Sequence, residues 1–418
     1  MTTNPGSSPA GEFKAADLYA KIQRAFTPHQ PISLPELLAG RLGLIHRVTD
    51  AVNTEGLHVV LYGDRGTGKT SIARVVAHLV QEPEKPSGRR CVLISCTADD
   101  SFTGIWRKVG QEVLLTQRQI GFLQQETRAI TGRLDLDSAV VSPSDARIFL
   151  ESIDNQTVIV IDEFDRVRDP GTRSLMADTI KFFSDHGVRA TLILVGVGKS
   201  LSDLLQEHLS ISRNIAQVPV DPMGMAELAQ IIQNGCKFTG LKYAEGLDTE
   251  IAKLSQGYPH YTHLLGLWAG RKAIEARHLE ITFEDLEKAI PDVLRNAAGG
   301  LQEQYERAVD STNPNALFKE VLLACALVRK DSLGRFGVGA LAEPLELITG
   351  KEYKTSAAYQ AHLGRFCETD RGPVLERSGE IKSYRWRFLN PQLIPYVVLQ
   401  GVSGKMIQAS RVGPRQRT

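Results

Sequence analysis

One run of eight residues, Gly63-Asp64-Arg65-Gly66-Thr67-Gly68-Lys69-Thr70, combines three glycines, a lysine and a hydroxyl at fixed spacing. The pattern G-x-x-x-x-G-K-T suits a phosphate chain. Its glycines let backbone N–H groups face the anion, and a helix starting at the lysine adds its dipole. Lys69 is expected to reach the β- and γ-phosphates of ATP or ADP. The Thr70 hydroxyl is expected to ligate Mg²⁺, with Ser71 beside it in the first helical turn. Further along, Val158-Ile159-Val160-Ile161 runs into Asp162-Glu163. Asp162 is expected to hold Mg²⁺, directly or through water. Glu163 is expected to orient and deprotonate an attacking water. The acid pair favours hydrolysis of ATP over transfer to a small acceptor. Asp165 and Arg166 read as capping or salt-bridging residues.

These groups need elements to position them. His58–Tyr62 is a short apolar run before the glycine loop, and Lys69–Val80 has helical spacing after it. Cys91–Ser95, Thr157–Ile161 and Ala190–Val195 read as further strands; the second is nearly all β-branched, as at the centre of a parallel sheet. Helices are expected at Phe102–Leu115, Ser144–Ile153 and Thr172–Asp185. Glu82–Arg89 reads as a surface loop, and Gln117–Asp137 as an inserted helix and loop. The alternation over Leu38–Val220 predicts an α/β fold, a parallel sheet sandwiched by helices. Four helices then follow without a strand, at Met225–Gly235, Asp248–Leu254, Tyr261–Ala276 and Thr282–Val293. From Asn315 come helices near Leu317–Val328, Val338–Ile348 and Ser356–Phe366, then two strand-like runs, Pro373–Arg377 and Ser383–Phe388. Three helices and a hairpin outline a winged helix. Ahead of everything, a helix is expected at Ala15–Phe26. The predicted organisation is a flexible N-terminal segment (1–33), an ATPase core (34–220), a helical lid (221–300), a winged-helix domain (301–402) and a basic tail (403–418).

The phosphate loop and acid pair resemble those of the AAA+ ATPases, within the P-loop NTPases, and the resemblance covers about Leu38–Asn296. Further positions match that family. Leu38-Ala39-Gly40-Arg41 is similar to the G-R motif of the origin-recognition-like and STAND (signal-transducing) ATPases, whose segment packs on the adenine; an ordinary turn at Gly40-Arg41 is the alternative. The strand Thr191–Val195 leads to Gly196-Val197-Gly198-Lys199-Ser200, where the family places its sensor 1 polar group. An Asn is usual there, so Lys199 or Ser200 would have to serve. Arg213 lies where the family carries an arginine finger, which stabilises charge on the γ-phosphate of a neighbouring subunit; a salt bridge is the alternative. Gly257-Tyr258-Pro259-His260 is similar to the G-x-P of the STAND group. There Pro259 would contact the base and His260 would sense phosphate, against the alternative of a helix-start proline with a capping histidine. His263 lies close along the same helix, but no third metal ligand is visible.

At the C-terminal end, helix Lys354–Phe366 reads as a recognition helix with Lys354, Gln360, His362 and Arg365 exposed. The hairpin Val374–Phe388 carries Arg377, Lys382, Arg385 and Arg387, with Tyr384 and Trp386 between them. Alternation at period two predicts Tyr384, Trp386 and Phe388 inside and Arg385 and Arg387 outside. Basic residues with interleaved aromatics at a wing suit phosphate contact on duplex DNA. Winged helices also dock proteins. The order of core, lid and winged helix is that of the origin-recognition-like family.

Composition bounds the rest. The 418 residues are 42% hydrophobic and 23% charged, with 49 Lys+Arg against 48 Asp+Glu. That excludes a wholly disordered chain, a collagen and a disulfide scaffold. No apolar run is long enough for a membrane-spanning helix, and no signal peptide is evident in MTTNPGSSPAGEF. Five cysteines without a C-x-x-C pair read as reduced thiols in a cytoplasm. The near-neutrality is uneven. Ser311–Thr418 holds 16 Lys/Arg and 9 Asp/Glu, net +7, so the first 310 residues are net −6. The sequence thus predicts a cytoplasmic ATP-hydrolysing switch, slow because no pore-loop signature of a motor is present. Its nucleotide state is expected to control a DNA-contacting winged helix, with self-association in the ATP state. The alternative is a STAND-like signalling or phage-defence ATPase acting on a protein partner without DNA.

Overall fold

The computed structural model describes residues 15–28, 39–81, 88–119, 140–153, 155–205, 209–297, 299–313, 315–331, 333–380 and 383–413. The chain forms two compact units, Pro31–Met223, and Met1–Gln30 together with Gly224–Thr418.

In the first unit five parallel strands, β1 (His58–Gly63), β2 (Arg90–Ser95), β3 (Thr157–Asp162), β4 (Ala190–Val197) and β5 (Ile215–Pro219), lie in the order β2-β3-β4-β1-β5. All six residues of β3 are buried, as its unbroken β-branched run requires of a strand covered on both faces. On one face, Val48 and Val52 of helix Leu42–Asn53 pack with Ile72, Val75 and Val76 of helix Lys69–Val80. On the other, Trp106 of helix Phe102–Gln119 sits edge-on to Phe183 of helix Pro170–Asp185, 5.8 Å between ring centroids. Two helix starts have clear local causes. Ser142 and Asp145 form a reciprocal capping box before Pro143, and the Asp169 carboxylate accepts the N–H groups of Gly171 and Thr172. Strand β5 is missing from the sequence reading. Only Ile215 and Val218 of its five residues are buried, a spacing that matches neither a two-residue nor a continuous pattern. Residues 120–137 of the expected insertion and 82–87 of the expected surface loop lie outside the described residues.

In the second unit, helices Met225–Thr239, Leu247–Ser255, Pro259–Glu275 and Phe283–Asn296 pack together. The expectation of no strand among them is corrected by a two-residue parallel pair, β6 (Lys242–Tyr243) with β7 (Glu280–Ile281). The helix expected at Ala15–Phe26 is present, but it is docked rather than part of the flexible segment expected over residues 1–33. Ala15–Ala25 is a helix that packs on the Met225–Thr239 and Pro259–Glu275 helices. Ile22 and Phe26 are fully buried there. The reason lies in three glycines. A Cβ on Gly235 or Gly266 would sit 2.3 or 2.6 Å from the Phe26 ring, and one on Gly270 would run into Ile22. The lid helices therefore carry a notch shaped to the first helix, and the remaining residues of the segment, 1–14 and 29–33, lie outside the described ones.

The C-terminal part holds helices Leu301–Val309, Phe318–Leu327, Ala342–Thr349, Ala357–Arg365 and Leu393–Ser403. A three-stranded antiparallel sheet joins them, β8 (Phe336–Gly337), β10 (Arg385–Phe388) and β9 (Leu375–Ser378), with β10 central. This part does not separate from the lid as an independent compact unit. The Tyr261 hydroxyl donates to the Gln392 carbonyl at 3.1 Å, and helix Leu393–Ser403 packs on helix Phe283–Asn296. Nor is the tail loose along its described length. Ile407 and Val412 are buried, and the Gln256 side chain donates to the Gly413 carbonyl at 3.1 Å. Residues 414–418 lie outside the described ones. All five cysteines are free thiols.

Candidate active site

Strand β1 delivers the chain to Gly63, where it must run against the strand leaving β5. The Val220 N–H donates to the Tyr62 carbonyl at 2.7 Å. A Cβ on Gly63 would lie 2.3 Å from the Val220 carbonyl oxygen, so only glycine fits. Gly66 and Gly68 then take φ of +83° and +91°, a region costly for other residues. Thr67 is buried, and its hydroxyl donates to the Asp64 carbonyl at 3.0 Å, closing the loop. Arg65 projects outward. Lys69 opens the helix with only 7% of its surface exposed. Its ammonium donates to the Gly63 and Asp64 carbonyls at 3.0 and 2.7 Å. Burial pulls its pKa down to about 8 against the opposing pull of Asp165, Asp64 and Asp162. A buried cation answered mainly by carbonyl dipoles is suited to receive an anion. Ser71 follows in the first turn, half-buried.

Asp162 ends β3 one strand away from β1, across β4. It is buried, which raises its carboxyl pKa, while a hydrogen bond from the Thr70 side chain favours the ionised form. Thr70 and Asp162 are thus brought together as the sequence predicts. A hydroxyl and a carboxylate in contact, with the lysine beside them, form an oxygen donor set fitting a hard divalent cation. Glu163 follows in a left-handed conformation, φ 54° and ψ 33°, uncommon for a non-glycine residue. Strain of this kind clusters at functional sites. Its carboxylate pairs with Arg166 at 2.9 Å. The next turn, Phe164–Arg166, is held from several sides. Phe164 is buried, Asp165 accepts the Val197 N–H at 2.8 Å, and Arg173 donates to the Asp165 and Val167 carbonyls at 3.0 and 2.9 Å. Gly196 makes this approach possible, since a Cβ there would lie 2.5 Å from Leu204 and 3.1 Å from the Asp165 nitrogen. Sequence reasoning missed this clamp, although a glycine inside an otherwise branched strand marks such a close approach.

The structure places the remaining expected residues with mixed results. Gly40 and Arg41 both have positive φ, 61° and 64°. The Arg41 guanidinium donates to the Thr67 carbonyl at 3.3 Å and to the Asp221 carbonyl, so the G-R segment touches the phosphate loop. Lys199 is exposed, and its backbone N–H donates to Asp203 at 2.6 Å. Ser200 starts the short helix Leu201–Leu204, with Asp203 accepting its N–H. Arg213, on a 3-10 turn, is 74% exposed and pairs with Asp185 at 3.5 Å. Pro259 is the first residue of its helix, and the His260 Nδ1 lies 2.8 Å from the Pro28 carbonyl oxygen.

At the basic end, Trp386 and Phe388 are buried, Tyr384 is half-buried and Arg385 is exposed. Arg377 stacks its guanidinium over Tyr384, 4.3 Å from the ring centroid. Three of the expected residues sit against partners. Arg387 pairs with its cross-strand neighbour Glu376. Arg365 pairs with Glu368 and with Asp370, the latter at 2.9 Å. His362 is half-buried against Phe318, 4.7 Å between centroids, not exposed. Lys354 is exposed, and Lys382 lies outside the described residues. No group of three or more metal-ligating side chains occurs among the described residues. None of the described helices is long and apolar enough to cross a membrane.

The glycine loop, the buried acid and the parallel sheet define a P-loop nucleotide-binding fold. A family model described as an AAA domain matches residues 52–205. The ORC2 protein of Aeropyrum pernix superposes with a TM-score of 0.50 at 16% identity, covering 91% of this chain and 98% of that one. A Walker-type ATPase of Pyrococcus abyssi does so with a TM-score of 0.50 at 15% identity, covering 90% and 99%. The fold is thus similar to that of these origin-recognition and Walker-type ATPase structures, with residues 52–205 matching the AAA domain. A curated relative, the ATP-dependent RNA helicase DRS1 of Debaryomyces hansenii, is 27% identical over 185 residues, 40% of this chain. The chain spans only 23% of that relative's length.

Proposed function

We propose that this protein binds ATP with Mg²⁺ and hydrolyses it slowly, and that its nucleotide state governs a C-terminal winged helix that contacts duplex DNA. One observation carries the reading: the buried Lys69 and Asp162 and the half-buried Thr70 converge at the end of β3 with Glu163 next in the chain. ATP phosphates lie along the loop N–H groups. Lys69 exchanges its two carbonyl partners for phosphate oxygens, each charge-assisted bond contributing about 1.5–3 kcal/mol. Thr70 and Asp162 hold the Mg²⁺, which neutralises charge developing on the phosphates. Glu163 takes the proton of the attacking water. Arg213 is exposed enough to meet the nucleotide of a second copy, which supports self-association in the ATP state. Lys199 or Ser200 acts as the γ-phosphate sensor.

Helices Phe318–Leu327, Ala342–Thr349 and Ala357–Arg365 with the β8-β10-β9 sheet support the winged-helix reading. Arg377 and Arg385 of the wing, with Lys354 and Lys382, are its phosphate contacts. Arg365 and Arg387 are already paired with acids, and that favours a second reading in which the domain docks a protein partner. ATPase rate and particle mass, measured with ATP or ADP and with or without duplex DNA, separate them. The first reading expects DNA binding whose log-log salt slope falls by about 0.9 for each of Arg377→Ala and Arg385→Ala. Unchanged binding in the double variant refutes the wing contact. No ATP turnover, together with an unaffected Glu163→Gln variant, refutes hydrolysis.

A further inference from the structure

A cavity of about 430 Å³ opens between helix Leu301–Val309 and the root of the β9–β10 hairpin, within the second unit. Gly300, Glu303, Gln304 and Arg307 form one wall. Their spacing of i, i+3, i+4 and i+7 puts them on one helix face. Gly372-Pro373 and Leu389-Asn390 form the other wall. Both walls are held in place. Arg371 donates to the Ala308 and Asp310 carbonyls at 2.9 and 2.7 Å, and its guanidinium lies 3.7 Å from the centroid of the Phe318 ring. The Leu389 N–H donates to the Val374 carbonyl at 3.0 Å, and the Asn390 amide donates to the Gln304 side chain at 3.4 Å.

The charges in this cavity are unspent. Glu303 stands four residues before Arg307, the order that favours an ion pair along a helix. Yet neither side chain makes an ion pair or hydrogen bond with any of the described residues. Arg307 instead lays its guanidinium against Gly372. That glycine has φ 58°, and a Cβ on it would lie 3.1 Å from the Arg307 Cζ. The remaining lining is apolar: Pro373 is exposed, and Leu389 keeps 47% of its surface exposed.

We propose that this cavity binds a free α-amino acid with an apolar side chain. Glu303 takes the ammonium, Arg307 the carboxylate, and Leu389 and Pro373 the side chain. A compact zwitterion answers both charges at once, whereas a simple anion meets Glu303 and a simple cation meets Arg307, each at a cost. Gln304 and Asn390 add amide donors and acceptors. The volume lies within the range of about 300–1,000 Å³ common to small-molecule sites. The site shares no residue with the phosphate loop, so it goes beyond the nucleotide reading and stands or falls apart from it.

The test titrates the full chain, without nucleotide, by calorimetry. L-leucine is expected to bind saturably. N-acetyl-L-leucine, which lacks the ammonium, and L-leucine methyl ester, which lacks the carboxylate, should each bind about 10-fold more weakly, the low end of one charge-assisted hydrogen bond. Glu303→Gln should weaken leucine by a similar factor and leave N-acetyl-leucine unchanged. Arg307→Gln should weaken leucine likewise and leave the methyl ester unchanged. Absence of saturable leucine binding overturns the proposal. So does a doubly blocked leucine, N-acetylated and methylamidated, that binds as tightly as leucine, since the cavity is then a groove for a peptide. Acetate binding as tightly as leucine also overturns it, leaving an anion site only. These ligand comparisons are made on the wild-type chain and hold whatever the variants do.

Discussion

Docking of the first helix onto the lid can be tested by a pairwise cycle between Phe26 and Gly235. Phe26 is fully buried, and its ring end lies where a Gly235 Cβ would stand, 2.3 Å from Cζ. Truncating Phe26→Ala removes a buried ring and leaves a cavity, which costs about 3–5 kcal/mol. Gly235→Ala alone forces a methyl into that ring. Overpacking of this kind costs about 1–3 kcal/mol, offset by about 0.5–1 kcal/mol from replacing a mid-helix glycine. In the double variant the methyl enters vacated space. The overpacking cost vanishes, the helix gain remains, and Gly235→Ala changes sign from destabilising to stabilising. The expected coupling is therefore about 1–3 kcal/mol, well above the ~0.5 kcal/mol scatter of independent sites. Hydrogen exchange of amides in Met225–Thr239 and Pro259–Glu275 reads the local opening free energy without assuming two-state unfolding of the whole chain. Additive effects, or a Gly235→Ala cost that is the same in both backgrounds, would refute the placement of Phe26 in the glycine notch.

Three further outcomes follow from the same geometry. Lys69→Ala should weaken ATP binding by about 10- to 150-fold in a fluorescent-nucleotide titration, because one charge-assisted partner of the phosphates is lost. Gly63→Ala should abolish that binding and lower the thermal midpoint, since its methyl has no route past the Val220 carbonyl. His263 lies fully buried beside Phe26, with the charge of His260 opposing its protonation, and its pKa is held down at about 4. The unfolded chain, near 6.5, binds that proton first. Stability is thus intact above pH 6.5 and falls by about 3 kcal/mol as pH drops towards 4. Urea titrations at pH 7 and pH 4 should show His263→Leu losing less than wild type across that interval; equal losses would contradict it.

The phosphate loop, its flanking strand and helix, and the acid pair were legible because each depends on neighbours within a few residues. Period-two alternation likewise placed Trp386 and Phe388 inside correctly. Its limit shows at Arg387. Alternation puts the side chain on the outer face, but only the strand register brings Glu376 opposite it. Helix Leu393–Ser403 escaped notice because it is apolar nearly all round, buried from Leu393 to Leu399, and shows no face to count. The glycine notch was invisible for another reason. Gly235, Gly266 and Gly270 look like weak points in two helices until Ile22 and Phe26 are set against them, and nothing local links residues so far apart.

That distance bears on how the protein is born. Ile22 meets Gly270, 248 residues later in the chain. At about 5–20 residues per second, a ribosome needs roughly 12–50 s to supply the second half of the notch. The intervening Pro31–Met223 unit can close its own sheet in that time. Through the same interval the apolar face of the first helix has no lid to cover it, and it is the surface a nascent-chain chaperone would meet first.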